Sequence, residues 1–105
     1  MSITDYKVKK IARSAARKQI SMIVREYSEN ILFSKHALHE MHKDDLTTMD
    51  VLNVLKSNDS KILDDGELDK GSYRYRLETN FIMVVVAFHQ NGKGLNIVTV
   101  WDKRK

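Results

Sequence analysis

The sequence predicts an α+β domain in which N-terminal helices pack on one face of an antiparallel sheet of three to four strands. Two observations carry that prediction. Apolar residues recur at helical spacing through the first half of the chain, and the last third alternates or runs apolar in strand-length blocks separated by turn residues. The chain has 105 residues, enough for one core and one domain over residues 1–105.

From Asp5 to about Tyr27 the pattern is helical. Val8, Ile11, Ala12 and Ala15 share a spacing continued by Ile20, Ile23, Val24 and Tyr27, and Ser2 or Thr4 is the expected cap. Ser28-Glu29-Asn30 breaks this helix, and Ile31-Leu32-Phe33 reads as a short extended segment. Ser34 then caps a helix from Lys35 to about Lys43. Thr47 and Asp50 form a capping box for a third helix, with Val51, Leu52 and Leu55 as core positions. Ser57-Asn58-Asp59-Ser60 ends it. Lys61-Ile62-Leu63 reads as a first strand, turning at Asp65-Gly66. The meander follows as Gly71–Leu77, Phe81–Phe88 and Leu95–Trp101, with turns at Thr79-Asn80 and Asn91-Gly92-Lys93-Gly94.

Charge is segregated along the chain. Residues 1–30 hold seven Lys or Arg against three acids, residues 44–69 two against eight, and residues 70–105 seven against two. Basic blocks at both ends favour a polyanionic partner such as RNA, while the acidic middle opposes a uniform coat of nucleic acid. The bland account of each block is a solvated face. No cysteine is present, which removes disulfides and thiolate metal sites and fits a reducing, cytoplasmic setting. No apolar run approaches the roughly 20 residues that span a bilayer, and the N-terminal stretch lacks the apolar core of a signal peptide, so no membrane partner is expected.

Two groups of side chains suggest chemistry. Alternation along a strand puts Arg74 and Arg76 on one face, with Tyr73, Tyr75 and Leu77 on the other. Paired guanidiniums suit bidentate binding of phosphate, although cross-strand ion pairs with Glu78 or Asp102 would account for them equally. The second helix carries His36, His39 and His42, with Glu40 one turn from His36 and able to orient its imidazole. Histidine suits proton transfer near neutral pH, and exposed helix histidines often have no role. The His-Glu-x-x-His zinc spacing is missing, so neither metal nor cofactor is expected. His89, at a strand end, is a further proton-transfer candidate. Lys103, Arg104, Arg13 and Arg17 are candidate RNA contacts, and Trp101 is either core or a base-stacking surface.

Phe33-Ser34-Lys35-His36-Ala37-Leu38 followed by Met41 resembles the F-[ST]-x-H-A-x-x-R-M opening of small toxin-like domains related to RelE and BrnT. The resemblance covers roughly residues 31–102 and takes in Leu46-Thr47, Arg74-Tyr75-Arg76, the apolar strand and Ile97–Trp101. It implies a RelE- and barnase-like core over 31–105, with the basic helix of 1–30 added to it. It also implies the toxin of a toxin–antitoxin pair: a metal-independent endoribonuclease that cuts RNA (mRNA) and is silenced by a cognate antitoxin, with association with ribosomes left open. The resemblance carries over His36 as the family histidine and Arg74 and Arg76 as strand cations. Glu40 and Asp44 stand where arginines are usual, which puts phosphate binding or catalysis in question. The competing expectation is a non-catalytic RNA- or protein-binding module of the same fold.

Overall fold

A computed structural model describes residues 5–63 and 66–105. Its elements are α1 (Arg13–Glu26), β1 (Ile31–Phe33), α2 (Lys35–Lys43), α3 (Thr48–Lys56), β2 (Lys61–Ile62), β3 (Glu67–Asp69), β4 (Ser72–Glu78), β5 (Ile82–Phe88) and β6 (Leu95–Asp102). The class is α+β, as the sequence predicts, but the sheet is larger and mixed. Its strands run β1-β6-β5-β4-β2, with β3 also paired to β4. The expectation of three to four antiparallel strands is therefore corrected. β1 lies parallel to β6, with Ile31 opposite Leu95. Both β2 and β3 add to the free edge of β4, and at two and three residues they are too short to show a period.

The first helix also departs from expectation, because it begins at Arg13 and not near Asp5. The backbone groups of residues 5–12 are committed elsewhere. Tyr6 N–H donates to the Gln90 carbonyl (3.0 Å), Tyr73 N–H donates to the Lys7 carbonyl (2.7 Å), and Ile11 N–H donates to the Tyr75 hydroxyl (3.0 Å). Lys9 N–H does close one i to i−4 bond, to the Asp5 carbonyl (2.9 Å). With the amides of Tyr6 and Ile11 and the Lys7 carbonyl bonded to partners far along the chain, however, this turn does not continue as a helix. The expected caps Ser2 and Thr4, and Asp65 of the expected turn, lie outside the described residues.

The other local signals hold. Ser34 Oγ accepts from Ala37 N–H at 2.9 Å and caps α2, while its own hydroxyl bonds the Val98 carbonyl (2.9 Å) and so fixes the helix to β6. Thr47 and Asp50 form the reciprocal box at the start of α3. Thr79 Oγ1 accepts from the amides of Phe81 and Ile82, closing the β4–β5 hairpin.

Among the described residues, the α-helices α1, α2 and α3 cover the same face of the sheet. Ala16, Ile20 and Ile23 of α1, Ala37 and Met41 of α2, and Val51, Val54 and Leu55 of α3 form one core with Tyr75, Leu77, Val84, Val86, Phe88, Ile97 and Val100. Burying an isoleucine fully is worth about 1.5–3 kcal/mol, so Ile20 and Ile23 make α1 part of the fold's stability. The residues that alternate with these on β4, β5 and β6 face away from every helix.

Candidate functional site

Strand alternation builds the helix-free face from the sequence upward. Arg74 and Arg76 project from β4. In register beside them on β5 are Ala87 and Val85, which form a buried apolar floor. Beyond the floor, β6 bears a bulge: Val85 pairs with Thr99 and Val86 with Ile97, so Val98 is the extra residue. A bulge puts two residues of one strand against one of its neighbour. Val98 and Thr99 accordingly line the same concavity of about 220 Å³ as Arg74, Arg76, Glu67, Asp69 and Val85.

The concavity has mixed charge. Arg74 forms an ion pair with Asp69 at 3.1 Å, and Glu67 sits directly across from it on β3. For Arg74 the cross-strand partner is Asp69, a residue not among those expected, and not Glu78 or Asp102. Past Ala87 the same face of β5 leads to His89, whose Nε2 lies 3.0 Å from Oδ1 of Asn96. Two residues along a strand advance roughly 7 Å, so His89 stands one pleat beyond the position opposite Arg74. Trp101, 38% exposed, lies opposite Met83 toward the other end of this face.

The remaining candidates lie elsewhere. His36, His39 and His42 are exposed on α2, and Glu40 is half-buried with Oε2 3.9 Å from Lys43. Since α2 packs on the core face, the sheet stands between His36 and the arginine pair. His36 and Glu40 therefore belong to an element across the sheet from Arg74 and Arg76. Arg17 is consumed structurally: its guanidinium donates to the Ser57 carbonyl and the Ser60 hydroxyl, tying α1 to the end of α3. Arg104 is held by Asp102 at 3.0 Å, with its guanidinium 5.0 Å from the centre of the Phe81 ring. Lys103 reaches Glu78 at 2.7 Å and the Thr79 carbonyl at 3.0 Å. Arg13 is exposed at the first turn of α1. Asp44, standing where the resemblance places an arginine, accepts from Asp102 N–H at 3.0 Å and joins α2 to the end of β6.

A larger cavity of about 400 Å³ lies at the other end of the sheet, between α3 and the β4–β5 turn. It brings Asp50, Asp59 and Glu78 together with Lys61 and Lys103, so its charges offset one another. Among the described residues, no group of three or more His, Asp or Glu side chains is placed to hold a metal ion. Among the same residues, no helix is long and apolar enough to cross a membrane.

Sequence reasoning missed Glu67, Asp69, Val98 and Thr99 as walls of the concavity. Glu67-Leu68-Asp69 offers only three residues of alternation, and the bulge at Val98 leaves no mark on an apolar strand.

Fold and site together define a small α+β domain with a helix-free sheet face bearing paired arginines and a histidine. Residues 33–102 match the family described as Domain of unknown function (DUF4258), and the chain belongs to that family. No curated protein and no solved structure matches the chain. The matched span begins after α1, although α1 supplies Ala16, Ile20 and Ile23 to the core.

Proposed function

We propose that the protein is the toxin of a toxin–antitoxin pair, a metal-independent endoribonuclease that cuts RNA laid on the helix-free face of the sheet. The observation that carries this reading is the sharing of one sheet face by Arg74 and Arg76, which line its concavity, and His89, one pleat beyond it. The order strand, two helices and antiparallel meander supports a RelE- and barnase-like core. Arg74 and Arg76 bind the scissile phosphate and stabilise the charge that develops on its oxygens. Glu67, on the wall of the concavity, takes the proton of the 2′-hydroxyl. The 2′-oxygen then bonds to phosphorus as the bond to the 5′-oxygen breaks, and His89 gives that leaving oxygen a proton. The products are a 2′,3′-cyclic phosphate and a free 5′-hydroxyl. His89 shares the arginines' face while His36 lies on α2, so in this reading His89 takes the proton-transfer role.

The test is cleavage of RNA by the purified protein in EDTA, with product ends analysed and His89→Ala, Glu67→Gln and Arg76→Ala run in parallel. Cyclic phosphate ends, lost in the variants, support the reading. Growth arrest on expression of the wild-type chain, and not of Arg76→Ala, supports the toxin role.

One observation favours a second reading, a non-catalytic RNA-binding module. Asp69 already neutralises Arg74, and Glu67 adds a further negative charge to the concavity. Salt-sensitive binding of RNA that remains intact, free or on ribosomes, would select it.

A further inference from the structure

We infer that residues Lys7–Lys10 form a fixed basic strap that extends the RNA path beyond the arginine pair, so that the substrate is a single strand several nucleotides long. This rests on the reading of the helix-free face as an RNA surface. The pairing of β4 with β5 ends at Arg74 and Ala87. Beyond that point the N-terminal segment takes over: the Lys7 carbonyl accepts from Tyr73 N–H, and Tyr6 N–H donates to Gln90. Lys7 is therefore held between the start of β4 and the end of β5, one residue from Arg74 along β4 and next to the strand end that bears His89.

The strap is anchored at several points. The Tyr6 ring packs edge-on against Phe88, with centroids 5.8 Å apart, and lies over Gly92, where a Cβ would come within 2.6 Å of it. Gly92 has φ +73°, a conformation that suits glycine and lets the ring approach. Asp5 Oδ1 accepts from Lys7 N–H at 2.9 Å, and Ile11 N–H bonds Tyr75. The backbone is thus fixed while the lysines are displayed. Lys7, Lys9 and Lys10 are exposed, and among the described residues neither they nor Lys70 in the adjoining β3–β4 turn has an ion-pair partner. By contrast Arg17, Lys103 and Arg104 are all engaged within the fold. From Lys7, beside the start of β4, the strap passes round the end of the sheet to the helix side, where Ile11 meets the Tyr75 hydroxyl. It offers a phosphate chain leading away from Arg74 a run of exposed lysines on an ordered backbone, whose point charges suit it without reading bases. The strap lies outside the span matched by the family.

Two assays separate this inference from the reading beneath it. The first measures binding of a single-stranded all-2′-deoxy dodecamer, which lacks the attacking hydroxyl, as a function of salt. The Lys7→Ala, Lys9→Ala, Lys10→Ala triple variant should lower the slope of log affinity against log salt by about 2, since each phosphate contact on a single strand contributes about 0.7. Removing three helix lysines (Lys35, Lys43 and Lys56) should leave the slope unchanged. Tyr6→Ala, which keeps every charge but frees the strap, should weaken binding in the same direction. The second assay measures cleavage of a dinucleotide too short to reach the strap, where the triple variant should match wild type. Equal slopes for wild type and the triple variant would overturn the strap, and so would an equal loss from the helix lysines. Dinucleotide cleavage by wild type with an unchanged slope would sink the strap alone. A lowered slope without any cleavage would keep the strap and reject the nuclease.

Discussion

The ring of His89 occupies the space that a side chain at Gly94 would need. A Cβ there would stand 2.6 Å from Cε1 of the imidazole, closer still to Nδ1, and 2.9 Å from the Asn30 carbonyl oxygen. The two residues are also joined through the backbone, His89 N–H donating to the Gly94 carbonyl at 2.9 Å. Gly94→Ala is therefore expected to push the ring away from Asn96 and to lower RNA cleavage nearly as far as His89→Ala. General acid–base groups contribute about 10²–10⁴-fold. Single-turnover rates of the two variants check this, with circular dichroism to confirm that both fold.

The opposite faces of the sheet give contrasting outcomes for two residues that the resemblance puts in one centre. His36→Ala should cleave RNA at close to the wild-type rate, while Arg76→Ala should lose at least about tenfold, the effect of removing a charge-assisted contact of about 1.4 kcal/mol or more. A large loss in His36→Ala with Arg76→Ala intact would return the site to α2.

Arg17 is expected to be a stability residue. Its guanidinium donates to the Ser57 carbonyl, just past α3, and to the buried Ser60 hydroxyl. Arg17→Ala should cost about 2–3 kcal/mol, the range of hydrogen bonds to a charged group with a buried partner left behind. Urea unfolding measures this cost. The salt dependence of RNA binding should stay as in wild type, because this cation never reaches solvent-side phosphate.

Acid should weaken the end of β6. Hydrogen bonds from the Arg104 side chain and amide hold the Asp102 carboxyl below the usual carboxylate range. A pKa lowered by folding contributes stability above the unfolded value near 3.9, and that stability is lost as pH falls through the folded value. Thermal unfolding between about pH 5 and pH 2 should show a loss concentrated below about pH 4, and Asp102→Asn should flatten it. An unchanged acid limb in Asp102→Asn would contradict the assignment.

The sequence was most legible where a local motif sets the structure. Ser34 and the Thr47–Asp50 box mark helix starts through side-chain bonds that span only three residues. The three meander strands announce themselves by period. What failed was anything set by distant partners. Residues 5–12 have an acceptable helical pattern, but Gln90, Tyr73 and Tyr75 claim their backbone. Leu38 belongs to the predicted apolar side of α2 yet is 49% exposed, because the helix needs only Ala37 and Met41 to seat on the sheet. For the site, Arg74 and Arg76 were readable from alternation. The side of the sheet taken by α2, which separates His36 from them, is a tertiary choice that spacing does not encode.

The N-terminal strap also fixes the order in which the molecule can be completed. Its docking partners lie far down the chain: Ile11 and Tyr75 are 64 residues apart, and Gln19 bonds the carbonyl of Gly92 across 73. Structures closed by such distant pairings fold slowly relative to those built from local contacts. During synthesis this segment is made well before its partners and is therefore among the last parts of the domain to find its place, waiting until β4, β5 and the Gln90–Gly94 turn have emerged. A nascent chain would carry its lysines loose and its β4–β5 seam open for most of its translation.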